Sequence, residues 1–266
     1  MTVVDQGTLT SFDPSSTDQD ETRPVVTCVK NLVIKYGNKV AVDDVSFNIF
    51  GGEALGVLGD NGAGKSSTMR ALGVVNPPTA GTIVTHGFNL SDIRGAEAAR
   101  TVTGYCPDVG GLVRSATTRE HIGLSLHLHR KTDMWDSALE LVDRLGLSHV
   151  LDEPTSGFSH GMSRRLSVVL AALSSERLMI LDEPFDGVDP LGVDATINII
   201  NEAKQSGLGV ILSTHLQDVL VRATDRVIVM AGGKIIDGGP SEEFIGDTGV
   251  ARYLSALAAH RAQAAA

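Results

Sequence analysis

The chain has 266 residues, of which 42% are hydrophobic, enough to bury the core of one large domain or of a domain with a subdomain. The formal net charge of −10 argues against broad nucleic-acid binding, which needs a basic surface. Cys28 and Cys106 are the two cysteines, too few for a disulfide framework and without CxxC spacing, so they read as buried free thiols in a reducing compartment.

Residues 1–24 are rich in Ser, Thr, Asp and Gln, with Pro14 and Pro24, and are expected to form a disordered acidic tail. Val25–Val33 and Val45–Ile49 read as strands. Ala54–Leu58 is a short, wholly apolar strand that runs into a glycine-rich turn, after which Ser66–Leu72 reads as a helix. Strand, glycine loop and helix in this order predict a nucleotide-binding α/β core. Helical spacing dominates residues 112–176, through Leu124 and Leu128, then Leu139, Val142 and Leu145, then Leu166, Val169, Leu170 and Leu173. Leu178–Leu181 and Gly209–Ser213 return as buried strands of parallel type. Val227–Met230 and Lys234–Asp237 flank Ala231-Gly232-Gly233 as a hairpin. Residues 246–266 are expected to be a C-terminal helix with an Ala-rich tail. No apolar run approaches the about 18 residues that span a bilayer, and the start lacks a basic segment followed by an apolar one. The chain is therefore expected to be soluble and to meet a membrane only through a partner.

Gly59-Asp60-Asn61-Gly62-Ala63-Gly64-Lys65-Ser66 matches G-x-x-x-x-G-K-[ST] in full. The glycines let backbone N–H groups wrap a phosphate, and the following helix turns its positive end to the same anion. Lys65 is placed to reach the β/γ-phosphates and Ser66 to ligate Mg²⁺, with Ser67 counted among the nucleotide contacts. Leu-Asp-Glu-Pro occurs twice, at 151–154 and 181–184. The second copy follows Leu178-Met179-Ile180, so its acids sit at the end of an apolar strand, where α/β sheets bind ligands. Asp182 is the expected Mg²⁺ ligand and Glu183 the expected general base. The first copy follows the polar Ser148-His149-Val150, so Asp152 and Glu153 read as a solvated turn. His86, His121, His127, His129, His149 and His260 have no partners at metal spacing, and no zinc site is expected.

Phe158-Ser159-His160-Gly161-Met162, followed by Ser163-Arg164-Arg165-Leu166-Ser167, resembles the ABC signature and its trailing helix. Ser159 lies upstream of Asp182 at the spacing that family requires. Tyr36 stands where the family stacks an aromatic ring on adenine. Asp186-Gly187-Val188-Asp189 resembles the D-loop, and His215 resembles the switch histidine at a strand end. The chain is thus similar to the ATP-binding subunits of ABC transporters over about residues 25–245. Gly104-Tyr105-Cys106-Pro107, Thr118-Arg119-Glu120-His121 and Gly161-Met162-Ser163-Arg164-Arg165 resemble the ATPases of bacterial drug and antibiotic exporters and of subfamily A lipid exporters.

The resemblance implies a P-loop core with a parallel sheet, an N-terminal antiparallel β subdomain and a helical signature subdomain at about 112–176. It implies ATP and Mg²⁺ as ligands, His215 at the γ-phosphate, and a second ATP-binding subunit, identical or homologous. Ser159, His160, Gly161 and Asp189 of one subunit then meet the nucleotide of the other. It also implies integral membrane permease subunits, and so a place on the inner face of the cell membrane, with export favoured over import. Two other readings stay open at this point, a soluble ABC ATPase that remodels a protein complex and a low-turnover module that binds ATP. Three positions depart from the pattern, of which Met162 in place of glutamine is familiar in the exporter-like subfamily. Asp108 replaces a glutamine; its oxygen can still ligate Mg²⁺, but its charge is expected to repel the γ-phosphate. His160 replaces a glycine, which is expected to hinder closure or to offer a cationic donor, and slow or asymmetric hydrolysis follows.

Overall fold

The structure is a computed structural model that describes residues 23–108 and 110–264. Apart from Arg23 and Pro24, the tail expected over residues 1–24 lies outside the described residues, as do Ala265 and Ala266. Val25–Tyr36 (β1) and Lys39–Phe50 (β2) pair antiparallel, with Tyr36 opposite Lys39 across a two-residue turn. Both run longer than their apolar stretches predict, because Lys35, Tyr36, Lys39 and Val40 at the hairpin end are exposed and carry no burial pattern. Ala80–Thr85 (β4) and Phe88–Asn89 (β5) complete a four-stranded antiparallel sheet in the order β2-β1-β4-β5.

The second sheet is built from Ala54–Leu58 (β3), Thr103–Cys106 (β6), Leu178–Asp182 (β7), Gly209–Ser213 (β8), Arg226–Ala231 (β9) and Lys234–Pro240 (β10), in the order β10-β9-β3-β8-β7-β6. Every pair in it is parallel except the β9–β10 hairpin. All five residues of β3, β7 and β8 are buried, as strands covered on both faces must be. The two-residue side-chain period divides them between two cores. Leu55, Val57, Leu178, Ile180 and Ile211 face the antiparallel sheet and Lys65–Leu72 (α1). Leu58, Met179, Leu181, Val210 and Leu212 face the helices on the other side.

Those helices include Thr118–Leu128 (α3), Trp135–Arg144 (α4), His160–Ser174 (α5) and Pro190–Gln205 (α6). The Thr117 hydroxyl and Glu120 form a capping box that starts α3. The first three occupy the region where helical spacing is legible. Ile93–Val102 (α2), Gln217–Ala223 (α7), β4, β5, β6 and α6 go beyond the predicted elements. Gly246–Ala264 (α8) closes the fold. Cys28 on β1 and Cys106 on β6 are both buried and free. Among the described residues, no helix is long and apolar enough to cross a membrane.

Candidate active site

Strands β3, β8 and β7 are parallel neighbours, with Val57 opposite Ser213 and Ser213 opposite Asp182, so their C-terminal ends meet along one edge. The glycine loop leaves β3 there. Gly64 sits at φ 109, and a Cβ on it would meet the Ala41 carbonyl oxygen at 2.6 Å, so only glycine fits where the loop enters α1. The Lys65 ammonium is buried and donates to the Gly59 carbonyl at 2.7 Å, which folds the side chain back over its own loop.

Asp182 is fully buried. Its Oδ1 accepts from Ser66 Oγ at 3.1 Å and from Ser213 Oγ at 2.6 Å, while its Oδ2 is buried with no hydrogen-bond partner among the described residues. Burial raises the Asp182 carboxyl above its ordinary value, against the two serine hydrogen bonds, which lower it. Glu183 adopts φ 51, unusual for a side chain other than glycine. The turn is held because Glu183 N–H donates to Ser213 O at 3.1 Å and to Ser213 Oγ at 3.0 Å. Its Oε1 lies 3.5 Å from Lys65 Nζ and its Oε2 3.1 Å from His215 Nδ1. Ser213 thus orients both acids at once. The sequence reading assigns it no role, although its place at the end of a buried strand beside the acidic one is the available signal.

A cavity of about 730 Å³ opens over this edge. The loop from Gly59 to Ser67, with Asp60, Asn61, Gly62, Ala63, Gly64, Lys65 and Ser66, lines it, together with Tyr36, Asp108, Glu183 and His215. Tyr36 is 44% exposed and its hydroxyl accepts from Asn76 Nδ2 at 3.3 Å. Gln217 and Tyr253 also line the cavity, and sequence reasoning did not mark either.

Ser159, His160, Gly161 and Asp189 do not line this cavity. Ser159 caps α5, its Oγ accepting from Met162 N–H at 3.2 Å. A Cβ on Gly161 would meet the Gly187 carbonyl oxygen at 2.3 Å, so this signature glycine is required for the close approach of α5 to the segment at 186–189. The His160 ring packs against Gly187, and its Nε2 is 3.0 Å from Asp186 Oδ2. Asp189 caps α6, accepting from Gly192 N–H at 2.9 Å. The first Leu-Asp-Glu-Pro lies apart, with exposed Asp152 paired to Arg119 at 2.6 Å.

The carboxylate at position 108, expected to repel the γ-phosphate, has a cationic partner. Arg164 on α5, 4% exposed, reaches Asp108 Oδ1 with Nη2 at 3.2 Å. The same guanidinium donates to Pro107 O at 2.6 Å, Asp108 O at 2.5 Å and Asp182 O at 3.3 Å. It therefore ties the signature helix to the loop after β6 and to the end of β7.

The donor set fits Mg²⁺. Asp182 offers a buried carboxylate oxygen without a partner beside the Ser66 hydroxyl, two hard oxygen ligands on one side. Among the described residues, no group of three His, Cys, Asp or Glu could hold a metal unaided.

The sequence profile described as ABC transporter matches residues 42–186, more than half of the chain. Lipopolysaccharide export system ATP-binding protein LptB of Haemophilus influenzae is 31% identical over 229 residues, spanning 85% of this chain and 95% of that protein. Nod factor export ATP-binding protein I of Sinorhizobium fredii is 35% identical over 79% of this chain and 62% of its own length. A solved structure of the ATP-binding subunit of an ABC transporter superposes with a TM-score of 0.80 at 29% identity, over 87% of this chain and 99% of that one. A dimeric bacterial ABC transporter cassette shares the fold, with a TM-score of 0.73 at 21% identity, over 81% of this chain and 98% of that one. The chain belongs to the ABC transporter family, as one of its ATP-binding, ATP-hydrolysing subunits.

Proposed function

We propose that the chain powers export through separate permease subunits, and that its ATP is split in the cavity bounded by Lys65, Glu183 and His215. One observation carries this reading. The Glu183 carboxylate sits 3.5 Å from the Lys65 ammonium and 3.1 Å from the His215 ring, beside a buried Asp182 and the Ser66 hydroxyl. The Gly59–Gly64 backbone and Lys65 grip the β/γ-phosphates, and Tyr36 stacks on adenine. Ser66 and Asp182 would hold Mg²⁺, with Asp108 on the same wall, and the ion would supply positive charge against the phosphates. A water attacks the γ-phosphorus as its bond to the β–γ bridging oxygen breaks, the water's proton passes to Glu183, ADP departs as the leaving group, and His215 orients the γ-phosphate. Ser213 holds the Glu183 backbone, which fixes where its carboxylate enters the cavity.

The signature residues Ser159, His160 and Gly161, with Asp189, face away from this cavity in our reading and meet the nucleotide of a second ATP-binding subunit. Closure of the pair excludes water and drives the membrane partner. Export is supported by the similarity to proteins named for lipopolysaccharide and Nod factor export. The subunit then works at the cytoplasmic face of the membrane, held by its permease. The test is Glu183→Gln in the assembled transporter. Hydrolysis is expected to fall by about 10²–10⁴ with ATP still bound, the range for loss of a general base. Hydrolysis at the wild-type rate removes Glu183 from this role, and failure to co-purify with a multi-helix membrane protein removes the permease.

A further inference from the structure

Helix α8 returns from the far end of the chain to the phosphate loop. Arg252 anchors it independently of that loop. Its Nε and Nη2 donate to Asp237 Oδ2 and Oδ1, both at 2.8 Å, and Nη2 also donates to Gly238 O at 3.0 Å. The guanidinium pairs with Glu243 and lies 4.6 Å from the centre of the Phe244 ring. A forked, bidentate arginine of this kind fixes orientation as well as position.

The next residue faces the cavity. Tyr253 lines it, and its hydroxyl donates to Asp60 Oδ1 at 2.9 Å. About two turns further along α8, Arg261 Nη2 lies 3.5 Å from Asp60 Oδ2. Asp60 follows Gly59 in the loop and also shapes it, its carbonyl accepting from Ala63 N–H at 3.1 Å. Both carboxylate oxygens of this anion are therefore engaged by α8. Left unheld, a carboxylate at the mouth of a phosphate cradle would repel a triphosphate. Burial pushes the Tyr253 phenol up to about 12, and the Asp60 hydrogen bond acts in the same direction, so the hydroxyl is a donor throughout the neutral range.

We propose that α8 is a clasp on the phosphate loop, in which Tyr253 is a positioning residue that holds Asp60 and so sets the affinity of the cavity for nucleoside triphosphate. The proposal rests on the reading of this cavity as the ATP site. The experiment is a double-mutant cycle on the full chain with a fluorescent N-methylanthraniloyl ATP as the probe, using Tyr253→Phe, Asp60→Ala and the pair. Phenylalanine keeps the ring packing and removes only the donor. Tyr253→Phe is expected to weaken binding about three- to tenfold, the worth of one ordinary hydrogen bond. In steady-state hydrolysis the loss falls on KM for ATP rather than on kcat. In the Asp60→Ala background Tyr253→Phe is expected to have no further effect. Unchanged affinity in Tyr253→Phe, or an equal loss in both backgrounds, overturns the clasp. A wild-type protein without affinity for the probe overturns the site itself, and so the two failures are distinguishable.

Discussion

Replacing Arg164 with alanine removes a guanidinium whose side chain is 3% exposed and strands every group it holds. The two closest contacts are to Pro107 O at 2.6 Å and Asp108 O at 2.5 Å. Hydrogen bonds from a charged donor contribute about 1.5–3 kcal/mol each, so these two alone amount to about 3–6 kcal/mol. The Asp108 side chain is 35% exposed, so its ion pair with Arg164 adds no more than about 1 kcal/mol. Against an expected domain stability of about 5–15 kcal/mol, the loss is a large share of the total. Urea unfolding followed by far-UV circular dichroism, extrapolated to water, measures the loss. Arg164→Lys keeps the charge without the fork and is expected to recover less than half of it. A loss below about 1 kcal/mol for alanine, or full recovery with lysine, refutes the argument that the fork holds this junction.

Two further variants follow from the same geometry. Burial holds the Asp182 carboxyl above its ordinary 3.8, so the folded chain keeps a proton that the unfolded chain has already released. The resulting cost is absent below pH 3.8 and grows as pH rises through the window above it. Asp182→Asn is therefore expected to raise the melting temperature of the nucleotide-free protein at pH 7 by about 2–4 °C. The gain should shrink toward pH 4 in differential scanning fluorimetry, and an unchanged or lower value at pH 7 counts against it. His160→Gly frees the segment at 186–189 from an exposed contact worth up to about 1 kcal/mol, which bounds any gain in hydrolysis by the assembled transporter at about fivefold. A rate that stays the same or falls shows that His160 does not restrain turnover.

The parts of the site legible in the sequence are those that lie close together along the chain. Gly59 to Ser66 is one continuous run after an apolar strand, and Asp182 and Glu183 end another, so pattern and position sufficed. Ser148-His149-Val150 is too polar for a buried strand, which separated the Asp152 copy from the Asp182 copy. Arg164 escaped because its partner Asp108 is 56 residues away, and Tyr253 because Asp60 is 193 residues away. Neither pairing leaves a local trace. Strand β6 was missed for a different reason. It has four residues, and a Cβ on its Gly104 would meet the Ala171 carbonyl oxygen at 2.0 Å, so it owes its place to close packing on α5 rather than to an apolar alternation. Helix α6 did carry a readable start, with Asp189 as cap and Pro190 in its first turn.

The two sulfur atoms bear on how this protein can be handled. Cys28 sits on an inner strand and Cys106 on the covered edge strand β6, and burial pushes the Cys106 thiol up to about 12 and raises Cys28 as well. Alkylation and oxidation proceed through the thiolate, which neither side chain supplies at neutral pH while the fold is intact. A cysteine introduced on an exposed turn would then carry the sole reactive group. Dyes or spin probes could report on subunit closure without first stripping the native thiols from the sheets.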